Sequence, residues 1–227
     1  MMRAKGWNAL FWAAVLIGAS YMLPVVVGWQ GAHIIAWKGA GVALLALWAG
    51  LNARHDTLGL NGWLIAAVMA LGALGDVLIE AVGLEAGALA FAAGHVVAIG
   101  LYLHNRRDSM TTSQRTLGLI LIPASIIIAL ATQGPIGEVL GQLGSGQGSS
   151  IGGLLIYTAL VSAMAASAWA SRFSRYRVGI GAMLFLLSDL LIFASMGRFV
   201  GQQWPSLLIW PLYFAGQALI ARGVVTT

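Results

Sequence analysis

The sequence predicts an all-α, polytopic membrane protein with eight transmembrane helices. Of its 227 residues, 59% are hydrophobic and only 8% are charged, whereas roughly a quarter of the residues of an ordinary soluble domain are charged. The apolar residues come in blocks of about 17 to 25, the length of helix that crosses a hydrocarbon core of roughly 30 Å. These blocks lack the alternation of apolar and polar residues that is typical of membrane β-barrels.

The blocks follow one another along the chain and predict a single integral membrane domain over residues 1–227. The predicted spans are 9–27, 33–51, 59–80, 86–104, 116–133, 150–170, 177–196 and 206–222. Arg3 and Lys5 precede the first block, as in a signal peptide, but no small-residue cleavage site followed by a soluble domain is present, so we interpret it as a span. The segment from Gly134 to Ser150 is rich in Gly and Ser, which favours a flexible connector over a lid.

The distribution of cations predicts the orientation of these spans. Ten of the 12 Lys and Arg residues fall on one side of the eight-span arrangement, Arg198 falls on the other side, and Lys38 lies within the second span. The ten are Arg3, Lys5, Arg54, Arg106, Arg107, Arg115, Arg172, Arg175, Arg177 and Arg222. By the positive-inside rule, both ends of the chain are expected in the cytoplasm, and in a bacterium the membrane would be the inner one. No basic patch interleaved with aromatic residues points to a nucleic-acid partner.

A few polar side chains are predicted at membrane depth, where an ionisable group costs on the order of several kcal/mol unless it faces a polar interior. They are Lys38 in the second span, Asp76 and Glu80 in the third, His95 in the fourth, Ser188 and Asp189 in the seventh, and Tyr213 and Gln217 in the eighth. Counted from the span ends, Lys38, Asp76 and Asp189 fall in the outer half of the membrane. His95, Tyr213 and Gln217 fall near the midplane. Similar depth on five helices permits one polar cavity.

Each of these residues also has a structural explanation. Lys38 could be the counter-ion of an aspartate, Glu80 lies near the outer end of its span and suits the membrane interface, and His95 alone is more typical of a packing residue than of a ligand. The chain has no Cys and only one His at depth, whereas a zinc hydrolase needs about three protein ligands. We therefore predict neither a metal site nor another cofactor.

Two segments of the chain are similar to two others. Residues 75–81 resemble residues 188–194 with Asp76 and Asp189 aligned, and residues 91–95 resemble residues 213–217. This predicts two four-helix halves in a parallel repeat, an arrangement that places functional groups where the halves meet. In a sequence so rich in Gly and Ala, chance similarity is the alternative explanation.

The same segments resemble the YhhN-like lysoplasmalogenase family. They are Gly75-Asp76 with Leu78, Phe91 with Gly94-His95, Gly181-Ala182 with Phe185 and Ser188-Asp189, and Tyr213 with Gln217, and their order covers nearly the whole chain. The resemblance implies an eight-helix membrane enzyme that cleaves the vinyl ether bond of a lysophospholipid, the lysoplasmalogen. The oligomeric state is not implied.

Vinyl ether hydrolysis starts with proton transfer to the alkene carbon, so it needs an acid, a base and a negative charge beside the cation that forms. Two carboxylates in a pocket of low dielectric constant suit this need, because repulsion and desolvation favour protonation of one while the other stays ionised. Our hypothesis is that Asp76 and Asp189 are this pair, without a separate role for each. The supporting residues are expected to be Lys38 or His95 as modulators or phosphate contacts, Ser188, Tyr213 and Gln217 as groups that orient water or substrate, and their neighbours Gly75 and Glu80.

Two other functions fit part of the pattern. Paired aspartates with a lysine in a repeated bundle are also typical of a proton-coupled transporter of a small or lipid-like substrate. Ala73-Leu74-Gly75-Asp76 is close to the Gly-x-Gly-Asp pattern of intramembrane aspartyl proteases, but residue 73 is Ala and the second aspartate follows Ser188 instead of Tyr. A scaffold without catalytic activity is the third alternative.

Overall fold

Eight helices in the described part of the chain are long and apolar enough to cross a membrane. The structure is a computed structural model and describes residues 3–54, 58–135, 138–139 and 149–227. The predicted helical class and the number of spans are confirmed for these residues. Most of the predicted connector between Gly134 and Ser150 lies outside them.

The helices follow the predicted order, with small differences at their ends. They are α1 (Arg3–Ser20), α2 (Met22–Val27), α3 (Ala32–Ala53), α4 (Gly59–Ala81), α5 (Leu84–His104), α6 (Thr112–Gln133), α7 (Ser149–Ala170), α8 (Ile180–Met196) and α9 (Trp204–Val225). The first span comprises α1 and α2, which are separated at Tyr21, and a π-helical turn at Arg175–Gly179 precedes α8. Residue Thr112 begins α6 four positions before the predicted start, because the Gln114 side chain accepts the Thr111 backbone N–H at 2.9 Å and caps the helix.

The outer surface of the bundle is apolar. Leu16, Leu89, Leu119 and Ile156 lie on four different helices, and each side chain is between 70% and 76% exposed. Exposing so many apolar side chains to water is unfavourable, whereas they are compatible with contact to lipid tails. This surface and the eight apolar helices indicate an integral membrane protein.

The last helix, α9, contacts helices from both halves of the chain. It packs against α8 and also against α3 and α4, while α7 packs against α5, α6 and α8. The contact between α8 and α9 is backbone to backbone, since a Cβ atom on either Gly181 or Gly216 would lie 2.7 Å from the carbonyl oxygen of the other. Small residues permit this approach in lipid, where packing drives helix association. As a result, one face of α9 reaches both the third and the seventh span.

Candidate active site

Asp76 is buried within α4 and bound by a residue of α9. Its side chain is 2% exposed, and the Tyr213 hydroxyl donates a hydrogen bond of 2.8 Å to its Oδ2 atom. The Gln217 amide Nε2 donates to the Tyr213 oxygen at 3.3 Å. Tyr213 and Gln217 lie one helical turn apart, which places both on the face of α9 that meets α4.

Asp189 is buried within α8 and bound by a residue that the sequence did not point to. Its side chain is 5% exposed, and the Tyr157 hydroxyl of α7 donates to its Oδ2 atom at 2.9 Å. The Tyr157 oxygen also lies 3.3 Å from Nε2 of His95 on α5. The one signal for Tyr157 in the sequence is a phenol in the middle of an apolar span, where its hydroxyl needs a buried partner.

Ser188 lies beside Asp189 and is fully buried. Its Oγ is 2.7 Å from the carbonyl oxygen of Phe185, one turn back in α8, and 3.3 Å from Oδ1 of Asp189. Ser188 therefore contacts the aspartate and the helix backbone, and both oxygens of Asp189 have a polar neighbour.

The rings of Phe91, Phe185 and Tyr213 form a cluster beside the two aspartates. The ring centroids are 5.2 Å to 6.0 Å apart with edge-to-face geometry. Asp189 lies one turn beyond Phe185 on α8, whereas Asp76 is bound to Tyr213 itself. The aspartates are near enough to interact electrostatically, but each accepts a hydrogen bond from its own tyrosine. The structure thus brings the predicted pair to one apolar cluster without a direct bond.

Glycines on α4 make room for this arrangement. A Cβ atom on Gly75 would lie 2.7 Å from the Phe91 ring, and one on Gly72 would lie 2.7 Å from Nε2 of Gln217. Larger residues at these two positions would clash with the Phe91 ring and the Gln217 amide. Gly75 therefore supports the site by the space it leaves beside Asp76.

Lys38 and Glu80 form an ion pair at one end of the site. Lys38 Nζ lies 2.6 Å from Glu80 Oε1, with the two side chains 15% and 42% exposed. Lys38 thus pairs with Glu80, one turn beyond Asp76 on α4, instead of with an aspartate. Lys38 is still within electrostatic range of Asp76. Over the described ranges, no three His, Asp or Glu side chains group as metal ligands would.

The arrangement is suited to proton transfer at a site that is shielded from bulk water. Two carboxyl groups are buried, each accepts a hydrogen bond from a phenol, and the Lys38–Glu80 pair beside them is partly exposed. Electrostatic interactions are strong in such surroundings, so charge that develops on a bound substrate would be felt by both carboxyl groups.

Comparison with known proteins gives one match. The model of the YhhN family matches residues 33–224 of the chain. This range covers most of the sequence and includes both aspartates, both tyrosines, His95 and Gln217. No curated protein and no solved structure matches the chain significantly.

Proposed function

Because the chain belongs to the YhhN family, we propose that it is a membrane hydrolase that cleaves the vinyl ether bond of a lysoplasmalogen. The products are a fatty aldehyde and a glycerophospho-headgroup compound. The observation that carries the proposal is that Asp76 and Asp189 are both buried beside one ring cluster and that each accepts a hydrogen bond from a tyrosine. The bilayer supplies the substrate, and in a bacterium the inner membrane is the expected location.

The proposed reaction uses one carboxyl group as an acid and the other as a base. The acid transfers a proton to the alkene carbon that is not bonded to oxygen, which leaves an oxocarbenium ion. The base takes a proton from water as the water oxygen bonds to the cationic carbon, giving a hemiacetal that collapses to aldehyde and alcohol. The arrangement is analogous to the paired carboxyl groups of glycosidases, which also act through an oxocarbenium-like transition state.

The remaining polar residues fit supporting roles in this reaction. Lys38 lies at the partly exposed end of the site, where its ammonium group is suited to contact the substrate phosphate. Gln217 keeps a buried Oε1 atom without a protein partner, so this atom is available to a water or a substrate hydroxyl. The Phe91, Phe185 and Tyr213 rings would line the path of the alkenyl chain.

The test is aldehyde release from a defined lysoplasmalogen by the purified protein in nanodiscs. We expect Asp76→Asn and Asp189→Asn each to lower kcat/KM by about 100-fold or more, since general acid and base catalysis each contribute roughly that factor or more. Asp108→Asn is the matched control, because the Asp108 side chain is 92% exposed and its ion pair with Arg172 lies at the surface. Full activity of both buried variants, or an equal loss in the Asp108 variant, would contradict the proposal.

The same preparation separates hydrolysis from transport. A proton-coupled transporter would accumulate intact lysophospholipid or another small solute in proteoliposomes and release no aldehyde. Aldehyde release that depends on the two aspartates supports hydrolysis, whereas uptake of unchanged substrate without aldehyde contradicts it.

A further inference from the structure

The loop between α5 and α6 carries arginines that line a cavity at one end of the bundle. The lining residues are Arg106, Arg107, Asp108, Met110 and Arg115, and we call this hollow the basic cavity. We propose that the basic cavity binds the phosphate of an anionic membrane phospholipid such as phosphatidylglycerol. This binding is separate from the candidate active site and does not depend on the proposed function.

The loop is fixed at both of its ends. At the first end, the side-chain amides of Asn105 and of Asn61 on α4 exchange hydrogen bonds of 2.7 Å and 3.1 Å. The Asn105 carbonyl oxygen also accepts the backbone N–H of Arg172 at 2.8 Å. At the other end, the Gln114 amide donates to the Trp169 carbonyl oxygen at 3.1 Å. The walls of the cavity are therefore in place before a ligand binds, which lowers the entropic cost of binding.

Arg107 is held in the wall of the cavity by a contact with the segment that follows α7. Its side chain is half-buried, and its Nε atom donates a hydrogen bond of 2.8 Å to the carbonyl oxygen of Ser171, which is fully buried. This bond uses one of the five N–H groups of the guanidinium. The N–H groups on the two Nη atoms are left for a ligand, and a planar guanidinium is well suited to phosphate oxygens.

Positive charge is in excess around the basic cavity. Both carboxylate oxygens of Asp108, the acidic residue of the lining, accept from one Nη atom of Arg172, at 3.0 Å and 2.9 Å. The charge of Asp108 is therefore already balanced. In the part of the chain that the structure describes, Arg106, Arg107 and Arg115 take part in no ion pair. Their combined charge is left to attract an anion.

The surface next to the cavity indicates that this anion belongs to a lipid. Arg115 lies in the first turn of α6, and Leu119 and Ile127 follow it one and three turns further along the same face. Both are exposed apolar side chains, so this face of α6 continues from the cavity into the lipid-facing surface. A phospholipid with its phosphate on the arginines can lay its acyl chains along α6. The ammonium group of a zwitterionic headgroup would be repelled by the same arginines, which favours an anionic lipid.

The basic cavity lies far from the Lys38–Glu80 pair that adjoins Asp76. Asn61, which holds the loop, and Glu80 are near opposite ends of α4, and the rise between them is roughly 28 Å at about 1.5 Å per residue. A lipid in the cavity therefore does not occupy the site proposed for the substrate. Its binding can be measured without an assay of hydrolysis.

Native mass spectrometry of the purified protein in detergent measures the binding of added phosphatidylglycerol directly. We expect the wild type to bind phosphatidylglycerol about tenfold or more tightly than phosphatidylcholine with the same acyl chains, since several arginines act on one headgroup. Equal affinity for the two lipids would overturn the proposal.

Two variants test the arginines of the cavity. Arg107→Gln and Arg115→Gln should each weaken phosphatidylglycerol binding about five- to tenfold, the effect of one arginine on one phosphate. Arg54→Gln is the matched control, because it removes the same charge from an exposed residue that follows α3 and is not part of the cavity lining. An equal loss in the Arg54 variant, or unchanged binding in both cavity variants, would contradict the proposal.

Thermal unfolding of each variant is compared with that of the wild type, because Arg107→Gln also removes the bond to Ser171. Arg115→Gln leaves this bond intact and decides the question if the Arg107 variant does not fold.

Inorganic phosphate separates a lipid site from a site for soluble anions. An excess of phosphate should displace little more phosphatidylglycerol than chloride at the same ionic strength does, because phosphate has no acyl chains to bury along α6. Complete displacement by phosphate would overturn the assignment to a lipid.

Discussion

The side chain at position 75 determines how closely Phe91 can approach Asp76. In Gly75→Ala the new Cβ would lie 2.7 Å from the Phe91 ring, whose centroid is 5.7 Å from that of Tyr213. We expect the ring to shift, the variant to lose about 1–3 kcal/mol of stability as an overpacked core does, and aldehyde release to fall as Tyr213 is displaced. Thermal unfolding and activity assays measure both effects.

Gly100→Ala is the control for this prediction. Gly100 is also a helical glycine, on α5, but a Cβ atom there would meet nothing within 4 Å. It is expected to match the wild type in both assays. If the two alanine variants behaved alike, Gly75 would not be needed for the ring to pack.

A second prediction concerns the ion pair at the exposed end of the site. Glu80→Gln should lower stability by more than the ~1 kcal/mol of a surface ion pair, because it leaves the Lys38 ammonium, whose side chain is only 15% exposed, without its counter-ion. Lys38→Met should raise KM for the phosphate-bearing substrate with a smaller effect on kcat, since it removes a binding contact and leaves the aspartates in place. Steady-state kinetics in nanodiscs separate the two constants, and a fall in kcat with KM unchanged would assign Lys38 to the chemistry instead.

The sequence singled out most residues of the candidate site because polar residues at membrane depth are rare. Asp76, Asp189, Tyr213 and Gln217 were found in this way, and the structure places all four at the ring cluster or its edges. Tyr157 was missed, since it has neither a charge nor a matching segment elsewhere in the chain. Its role as a donor to Asp189 depends on the packing of α7 against α8, which single-sequence patterns do not reveal.

At the scale of helices, the packing of α8 against α9 controls the relative positions of the two aspartates. Gly216→Val would place a branched side chain against the carbonyl oxygen of Gly181 and the backbone of Phe185, neither of which can move like a flexible side chain. We expect a loss of about 3 kcal/mol or more, the upper range for overpacking, with reduced yield of folded protein and reduced activity. Gly153→Val on α7 is the matched control, because a Cβ atom there meets nothing within 4 Å; equal melting temperatures would refute the prediction.

The existence of the helices follows from the sequence more reliably than their ends. A window of apolar residues identifies each span, but it does not register the polar first turn of α6, which the Thr111–Gln114 cap makes helical. The separation at Tyr21 and the π-helical turn at Arg175–Gly179 are also invisible to such a window, because both depend on individual backbone hydrogen bonds.

For the molecule as a whole, the predicted repeat would relate Tyr213 to Phe91. Tyr213 binds the aspartate of α4, but Phe91 has no hydroxyl that could bind Asp189, and Tyr157 of α7 supplies that bond. If the halves arose by duplication, the hydrogen-bond donors have diverged even though the aspartates align.

The orientation prediction applies to the whole bundle, and the structure makes it simple to test. The backbones of Arg106 and Ser171 form an isolated antiparallel β-bridge, so the α5–α6 loop lies beside the segment that follows α7. The Arg198 N–H donates to the Thr132 carbonyl at the end of α6, which places Arg198 at the opposite end of that helix. Cations are therefore concentrated at one end, and the positive-inside rule predicts that this end is cytoplasmic.

Single introduced cysteines can report this orientation without background labelling, since the chain has no Cys of its own. Ser109→Cys in the α5–α6 loop and Gln202→Cys in the α8–α9 loop both replace exposed residues. A membrane-impermeant maleimide should label the Gln202 variant in intact spheroplasts and the Ser109 variant only in inside-out vesicles, with the wild type as the unlabelled blank. The reverse pattern would invert the bundle and place the Lys38–Glu80 end of the site in the cytoplasmic leaflet. Labelling of both variants from one side would require an even number of spans between them and would contradict the three spans of the structure.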